Sequence, residues 1–200
     1  MLGDPIREPN LALVALGANL PSSAGFAGMP AETLRKALFE FTKSTNLQIV
    51  AISRFWRTPA FPTGSGPDYV NAAVALFSSL SPQQLLGELH RIEAALGRER
   101  KGPRWQARVI DLDLLAYGDL VLPDTATHDA WRALPPERQA AAAPEGLILP
   151  HPRLQDRGFV LAPLAEVAPG WRHPRLGLTV AQMLSDLPPG ALEGMEPGAT

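Results

Sequence analysis

The chain has no cysteine, which excludes disulfides and thiolate metal sites, so any metal must sit on oxygen or imidazole ligands and hard cations are the natural guests. Long apolar runs are also missing. The N-terminal stretch Met1 to Asn10 is polar and proline-broken, and no later segment approaches the length of a membrane span, so a cytoplasmic protein away from membranes is expected. Neither sign of charge dominates: a formal charge of -2 argues against a sequence-independent grip on nucleic acid or anionic lipid. The phosphate loop G-x-x-x-x-G-K-[ST] is absent too, which removes the commonest kinase architecture.

What is present suits one globular domain. Two hundred residues, 46% hydrophobic and 19% charged, provide a substantial core, with folded boundaries expected near 11 and 188. Of the 18 basic residues, 15 are arginine, which favours bidentate phosphate recognition or reflects codon bias in the source genome. The run from Leu11 to Leu16 reads as a strand buried on both faces, followed by the turn Gly17-Ala18-Asn19-Leu20. Leu34, Ala37, Leu38 and Phe41 recur at helical spacing over 31–43. Residues 48–58 are rich in β-branched and aromatic side chains and form a second strand. A loop over 59–68 leads into a third strand over 69–80. Ser81-Pro82-Gln83-Gln84 supplies an N-cap, a first-turn proline and a capping-box glutamine for a helix with Leu85, Leu89, Ile92 and Leu96 as its stripe. The basic stretch 98–108 is an exposed loop, 109–117 a fourth strand, 118–150 a long surface insertion with one short helix, and 159–167 a final helix. The tail after Pro188 is expected to be disordered. The order βαββαβ implies a ferredoxin-like α+β sheet with C-terminal additions.

Period-two alternation in Val109-Ile110-Asp111-Leu112-Asp113-Leu114 places Ile110, Leu112 and Leu114 on one face and both aspartates on the other. Two carboxylates roughly 7 Å apart along a strand repel each other unless a divalent cation lies between them, and magnesium with nucleotide phosphate meets that demand. Taken alone, the tripeptide is better explained by a solvated acidic face, and its neighbours change that balance. Just upstream lie Arg98, Arg100, Lys101, Arg104, Trp105 and Arg108, which bring cations and an aromatic ring to the same strand end. Metal ions facing arginines form a coherent set for phosphoryl-type transfer. His90 and Glu93 flank the apolar stripe of the second helix, as ligand contacts or as surface residues. Tyr69 and Asn71 share a face of the third strand, where an asparagine amide suits the edge of a heterocycle. His151, Arg157 and Phe159 gather before the last helix. A non-catalytic RNA or ligand module is the rival reading, disfavoured by an acidic pair where an RNA reader would carry a basic sheet.

Taken in order, the landmarks Leu16-Gly17-Ala18-Asn19-Leu20, Arg57-Thr58-Pro59, Pro67-Asp68-Tyr69-Val70-Asn71, Gly97-Arg98-Glu99-Arg100, Arg104-Trp105, Arg108 to Asp113, Pro150-His151-Pro152 and Arg157-Gly158-Phe159 resemble the 6-hydroxymethyl-7,8-dihydropterin pyrophosphokinases of folate biosynthesis over roughly residues 11–188. The resemblance implies transfer of the diphosphate of ATP to the pterin hydroxymethyl group, and the chain is expected to be a monomer. By it, Asp111 and Asp113 hold two Mg2+ ions, and Arg98 and Arg108 steady the transferred group and the leaving AMP. His90, Glu93, Arg100, Trp105, Arg108, His151 and Arg157 contact ATP, and Thr58, Pro59, Phe61, Tyr69, Asn71 and Phe159 surround the pterin. Four features depart from the family pattern: Ala18 in place of serine, Phe61 in place of an aliphatic residue, His90 where glutamine is frequent, and a longer segment over 119–149.

Overall fold

The computed structural model describes residues 9–20, 29–60, 66–98, 108–135, 138 and 144–198. Its elements are β1 (Asn10–Ala18), α1 (Pro30–Thr42), β2 (Leu47–Ile52), β3 (Trp56–Thr58), β4 (Tyr69–Ser78), α2 (Pro82–Ala95), β5 (Asp111–Tyr117), α3 (Thr125–Ala133), α4 (Gly158–Val167), α5 (Val180–Ser185) and β6 (Glu196–Pro197). No described helix is long and apolar enough to cross a membrane.

The strands form one sheet in which β5, β1, β4, β3 and β6 follow one another, with β2 also on β4 and every pairing antiparallel. Alternation sorts the side chains of β1 and β4 into two layers. Ala12, Val14, Leu16, Ala72, Val74 and Leu76 pack under α1 and α2, whose stripes of Leu34, Ala37, Phe41, Leu85, Leu89 and Ile92 are fully buried. Leu13, Ala73 and Ala75 face the other way, against Val160, Leu161 and Leu164 of α4 and Val180 and Met183 of α5. The additions after β5 thus build a second helical layer. Ser81 and Gln84 form the expected capping box at the start of α2, and Pro30 opens α1.

Two expectations, the continuous second strand and the disordered tail, are corrected by long-range contacts, while the insertion carries a short helix as expected. The second strand is not continuous over 48–58 but breaks at 53–55. There the Ser53 hydroxyl accepts the Ala73 N–H at 2.9 Å, and Glu166 of α4 accepts from the Arg54 backbone at 2.8 Å. The insertion is pinned at its base by a bridge between Leu122 and Leu149 and carries α3, whose buried His128 contacts the Pro150 carbonyl through Nε2 at 3.0 Å. The tail after Pro188 is ordered over 188–198. Its Glu196 and Pro197 pair with β3, giving that edge strand a partner for its free backbone groups.

Candidate active site

At the end of the sheet where β1 finishes and β4 begins, the α4-facing layer changes from apolar to polar. Gly17 of β1 lies between Asn71 of β4 and Asp111 of β5, and Ala15 lies beside Asp113. Thr58 is opposite Tyr69 and Trp56 opposite Asn71. A side chain at Gly17 would put its Cβ 2.8 Å from Asn71 Oδ1, so the glycine makes room for the amide. Asn71 is buried and donates Nδ2–H to Thr58 Oγ1 at 2.6 Å, which fixes the orientation of its amide. Tyr69 stays a phenol, since burial pushes its pKa up, Arg108 opposes that rise and Asp111 adds to it.

The two aspartates share this face but differ in surroundings. Asp111 is the centre of an ionic network: Arg98 Nη1 donates to its Oδ1 at 2.5 Å and Arg108 Nη1 to its Oδ2 at 2.5 Å. Burial raises its pKa, its neighbour Asp113 raises it further, and the two arginines oppose the rise. Asp113 keeps two-fifths of its side chain exposed, with Arg157 Nη1 at 4.0 Å. Glu93, expected at a helix edge, is instead buried. It reaches around β5 to accept the Leu112 N–H at 2.8 Å and to pair with Arg98. As β5 is the edge strand, Glu93 caps a backbone donor that no strand would satisfy.

His151 is tied to β5 by its own N–H, which donates to the Leu115 carbonyl at 2.8 Å. Its Nδ1 accepts the Arg153 N–H at 3.1 Å, leaving Nε2 as the protonated nitrogen of a neutral ring. Burial lowers its pKa to about 3, with Arg157 adding to the effect, so the ring is uncharged at neutral pH. Phe159, partly exposed at the first turn of α4, lies beneath the Arg157 guanidinium at 5.7 Å. Pro59 is exposed at the end of β3. His90 is half-buried on α2. Arg100, Trp105 and Phe61 lie outside the described residues.

Two organising residues were not among the expected site residues. Asn19, buried after β1, accepts the Arg108 N–H through Oδ1 at 2.7 Å and donates Nδ2–H to the Pro67 carbonyl at 3.3 Å, while its own N–H donates to the Arg108 carbonyl at 3.0 Å. It thereby ties together the segments entering β4 and β5, and its place after a strand-ending Gly-Ala was the one available signal. Glu166 receives hydrogen bonds from the Arg54 backbone and guanidinium and from the Trp56 indole. No local pattern announces a partner 112 residues away.

The donor set fits magnesium. Among the described residues no group of three or more His, Cys, Asp or Glu side chains forms a complete cage, and magnesium is ordinarily held by one or two carboxylates with substrate phosphates supplying the remainder. Asp111 and Asp113 match that pattern. A cation at Asp111 would compete with Arg98 and Arg108 for the same oxygens, and phosphate oxygens offer those guanidinium groups an exchange of partners.

Comparison with known proteins identifies the family. Residues 13–169 match the family model described as 7,8-dihydro-6-hydroxymethylpterin-pyrophosphokinase. The chain is 36% identical over 187 residues to the 2-amino-4-hydroxy-6-hydroxymethyldihydropteridine pyrophosphokinase of Synechocystis sp., covering 94% of this chain and 81% of that protein. It is 35% identical over 185 residues to the enzyme of the same name from Methylorubrum extorquens, covering 92% and 98%. The crystal structure of a Plasmodium falciparum HPPK-DHPS triple mutant shares the fold with a TM-score of 0.64 at 16% identity, over 92% of this chain and 45% of that longer one. The chain belongs to the 7,8-dihydro-6-hydroxymethylpterin-pyrophosphokinase family.

Proposed function

We infer that this protein is an ATP-dependent diphosphotransferase that moves the diphosphate of ATP to the hydroxymethyl oxygen of 6-hydroxymethyl-7,8-dihydropterin and releases AMP, a step of folate biosynthesis. The observation that carries the reading is the juxtaposition of the Asp111–Arg98–Arg108 network with the buried Asn71–Thr58 pair on one sheet face. A charged phosphate-side cluster therefore adjoins a shaped, neutral pocket edge.

In this reading the pterin lies against Phe159, Tyr69, Pro59 and Phe61, with Asn71 reading its ring edge. Holding Nδ2 on Thr58 leaves Oδ1 and the second amide hydrogen for the heterocycle. The hydroxymethyl oxygen attacks the β-phosphorus, one O–P bond forms as the bond to the AMP oxygen breaks, and the hydroxyl proton passes to solvent. Two Mg2+ ions held by Asp111 and Asp113 would neutralise phosphate charge and align the reactants. Arg98 and Arg108 would turn from Asp111 to the phosphate oxygens, while Arg157 and the Nε2–H of neutral His151 donate from the α4 side. Glu93 holds Arg98 in register. Arg100, Trp105 and His90 complete the nucleotide contacts.

The chain acts as a single pterin pyrophosphokinase domain, a cytoplasmic monomer whose partners are its two substrates and not nucleic acid or membrane, a reading its balanced charge supports. The strand order fourth, first, third, second, counting β2 and β3 as one broken strand, supports a ferredoxin-like core with C-terminal additions. Incubation with ATP, Mg2+ and 6-hydroxymethyl-7,8-dihydropterin is the test. AMP must form only when the pterin is present, and pterin-independent or absent AMP release defeats the assignment.

A further inference from the structure

The C-terminal segment lies beyond the stretch that matches the family model, yet it is built into the walls of the substrate face. Residues 188–198 run from α5 across the start of α4 and then along β3. At the first crossing Gly158 is packed so closely that a Cβ there would sit 2.5 Å from the Ala191 carbonyl oxygen and 2.8 Å from Leu192 Cδ2. Gly158 stands between Arg157 and Phe159. Further on, Gly194 adopts φ of 71°, and a Cβ on it would lie 2.8 Å from Pro59 Cγ. The strand β6 then pairs Pro197 with Trp56 and Glu196 with Arg57. Gly198 N–H closes the run by donating to the Phe55 carbonyl at 2.6 Å.

An ionic link reinforces the pairing. Arg57 joins Glu196 Oε2 at 2.8 Å through one guanidinium nitrogen and Asp68 Oδ2 at 2.7 Å through another. Asp68 immediately precedes Tyr69. One segment therefore touches the start of α4, the Pro59 end of β3 and, through Arg57, the entry to β4. Those are the elements that carry Phe159, Pro59 and Thr58, and Tyr69 with Asn71. Elsewhere these walls are joined by Glu166, which holds Arg54 and Trp56 at the far end of α4 from Phe159.

We propose that residues 188–198 are a positioning strap that sets the separation between the Pro59 wall and the Phe159 wall, and so determines the affinity for the pterin substrate but not for ATP. The proposal rests on the pterin-side assignment given above. Arg98, Arg108, Asp111 and Asp113 make no described contact with the strap, and Arg157 adjoins it only at the Ala191 crossing of Gly158, so loosening the strap at its Pro59 end, at Gly194 or Gly198, should leave the nucleotide half of the reaction intact.

The test uses the full chain with Gly194→Val or Gly198→Val, each of which drives a side chain into the wall the strap lies on. Gly177→Val serves as control: Gly177 also has positive φ, 68°, but faces open space away from both walls. Steady-state kinetics with each substrate varied should show the pterin KM raised about tenfold in both strap variants, with kcat and the ATP KM within about twofold of wild type. The control should lower the thermal midpoint and leave the pterin KM in place. An unmoved pterin KM in both strap variants, or an equal rise in the Gly177→Val control, overturns the strap. Asn71→Ala, measured alongside, examines the underlying assignment separately. A pterin KM indifferent to that change removes the pterin subsite from this face and the strap's purpose with it.

Discussion

The two faces of the sheet were built from one alternating pattern and ended differently. Under α1 and α2 the apolar layer runs the whole length of β1 and β4, from Ala12 to Ala18 and from Leu76 to Ala72. On the opposite face the apolar layer of Leu13, Ala73, Ala75 and Leu115 stops halfway. Gly17, Asn71, Asp111 and Asp113 occupy the positions where further packing would have been. The contrast teaches that the site is made by withholding the second helical layer from one end of the sheet, while the first layer keeps the strands rigid beneath it. One face is packed along its whole length, whereas the other is packed only over its first half and gives the rest to the proposed chemistry.

The largest effect is expected at the open end. Asp113→Ala should reduce kcat by about 10³-fold or more, because it removes an oxygen from the proposed Mg2+-holding pair. Its carboxylate is two-fifths exposed and its described ion pair, with Arg157, spans 4.0 Å, so the unfolding free energy should change by no more than about 0.5 kcal/mol. Asp111→Ala should match the loss of turnover and also cost about 1–3 kcal/mol, since Arg98 and Arg108 lose a shared partner. Urea unfolding beside AMP-release assays separates these outcomes. A large stability loss for Asp113→Ala would mean that the open end is structural.

The closed face should show the reverse. Leu89→Ala removes a fully buried side chain beneath β1 and β4 and should cost about 2–5 kcal/mol. At a temperature where the variant remains folded, kcat and both KM values should stay close to wild type. A selective loss of turnover would show that the two faces are mechanically coupled.

A third prediction concerns acid. Burial lowers the His173 pKa to about 4, with His128 and Arg132 adding to the effect, and His151 is lowered to about 3. Both rings remain neutral in the folded protein while their unfolded counterparts take up a proton near pH 6.5. Stability is therefore undiminished above about pH 6.5 and falls as the pH drops from there toward 4, by up to about 3 kcal/mol for His173. His173→Asn keeps an acceptor for the Arg175 and Leu176 N–H groups, which His173 Nδ1 now receives at 3.1 and 3.3 Å, and removes the titration. Denaturant midpoints measured across that range should slope less steeply in the variant. An unchanged slope assigns the acid sensitivity to His151 or to carboxylates.

What could be read in advance follows the range of the forces involved. Alternation placed Asp111 and Asp113 together because a strand's period is a local property, and the arginines at 98 and 108 were close enough along the chain to be associated with them. The burial of Glu93 was missed because its reason lies across the edge of β5, in the unpaired Leu112 N–H. The break between β2 and β3 and the ordering of the tail were missed for the same cause. Glu166 meets Arg54 from the other end of the chain, and Glu196 finds Arg57 only once β3 has been left as an edge. Proline- and glycine-rich composition at 188–198 reads as disorder when no docking strand is in view.

The smallest predicted effect tests whether even the local signals act on one face alone. Ser81 accepts the Gln84 N–H at 3.3 Å, and Gln84 Oε1 receives the Ser81 N–H at 2.9 Å, so the box satisfies backbone donors at the start of α2. Ser81→Ala leaves the Gln84 N–H without that partner and should cost about 1 kcal/mol, visible as a modest fall in the urea midpoint at constant slope. The helix also carries Glu93 three turns further on, which holds Arg98 beside Asp111. Fraying at an N-terminus fades within the first turn, so the ATP KM should not move. If it does rise, α2 transmits strain along its length to Glu93, and the closed face helps set the geometry of the open one.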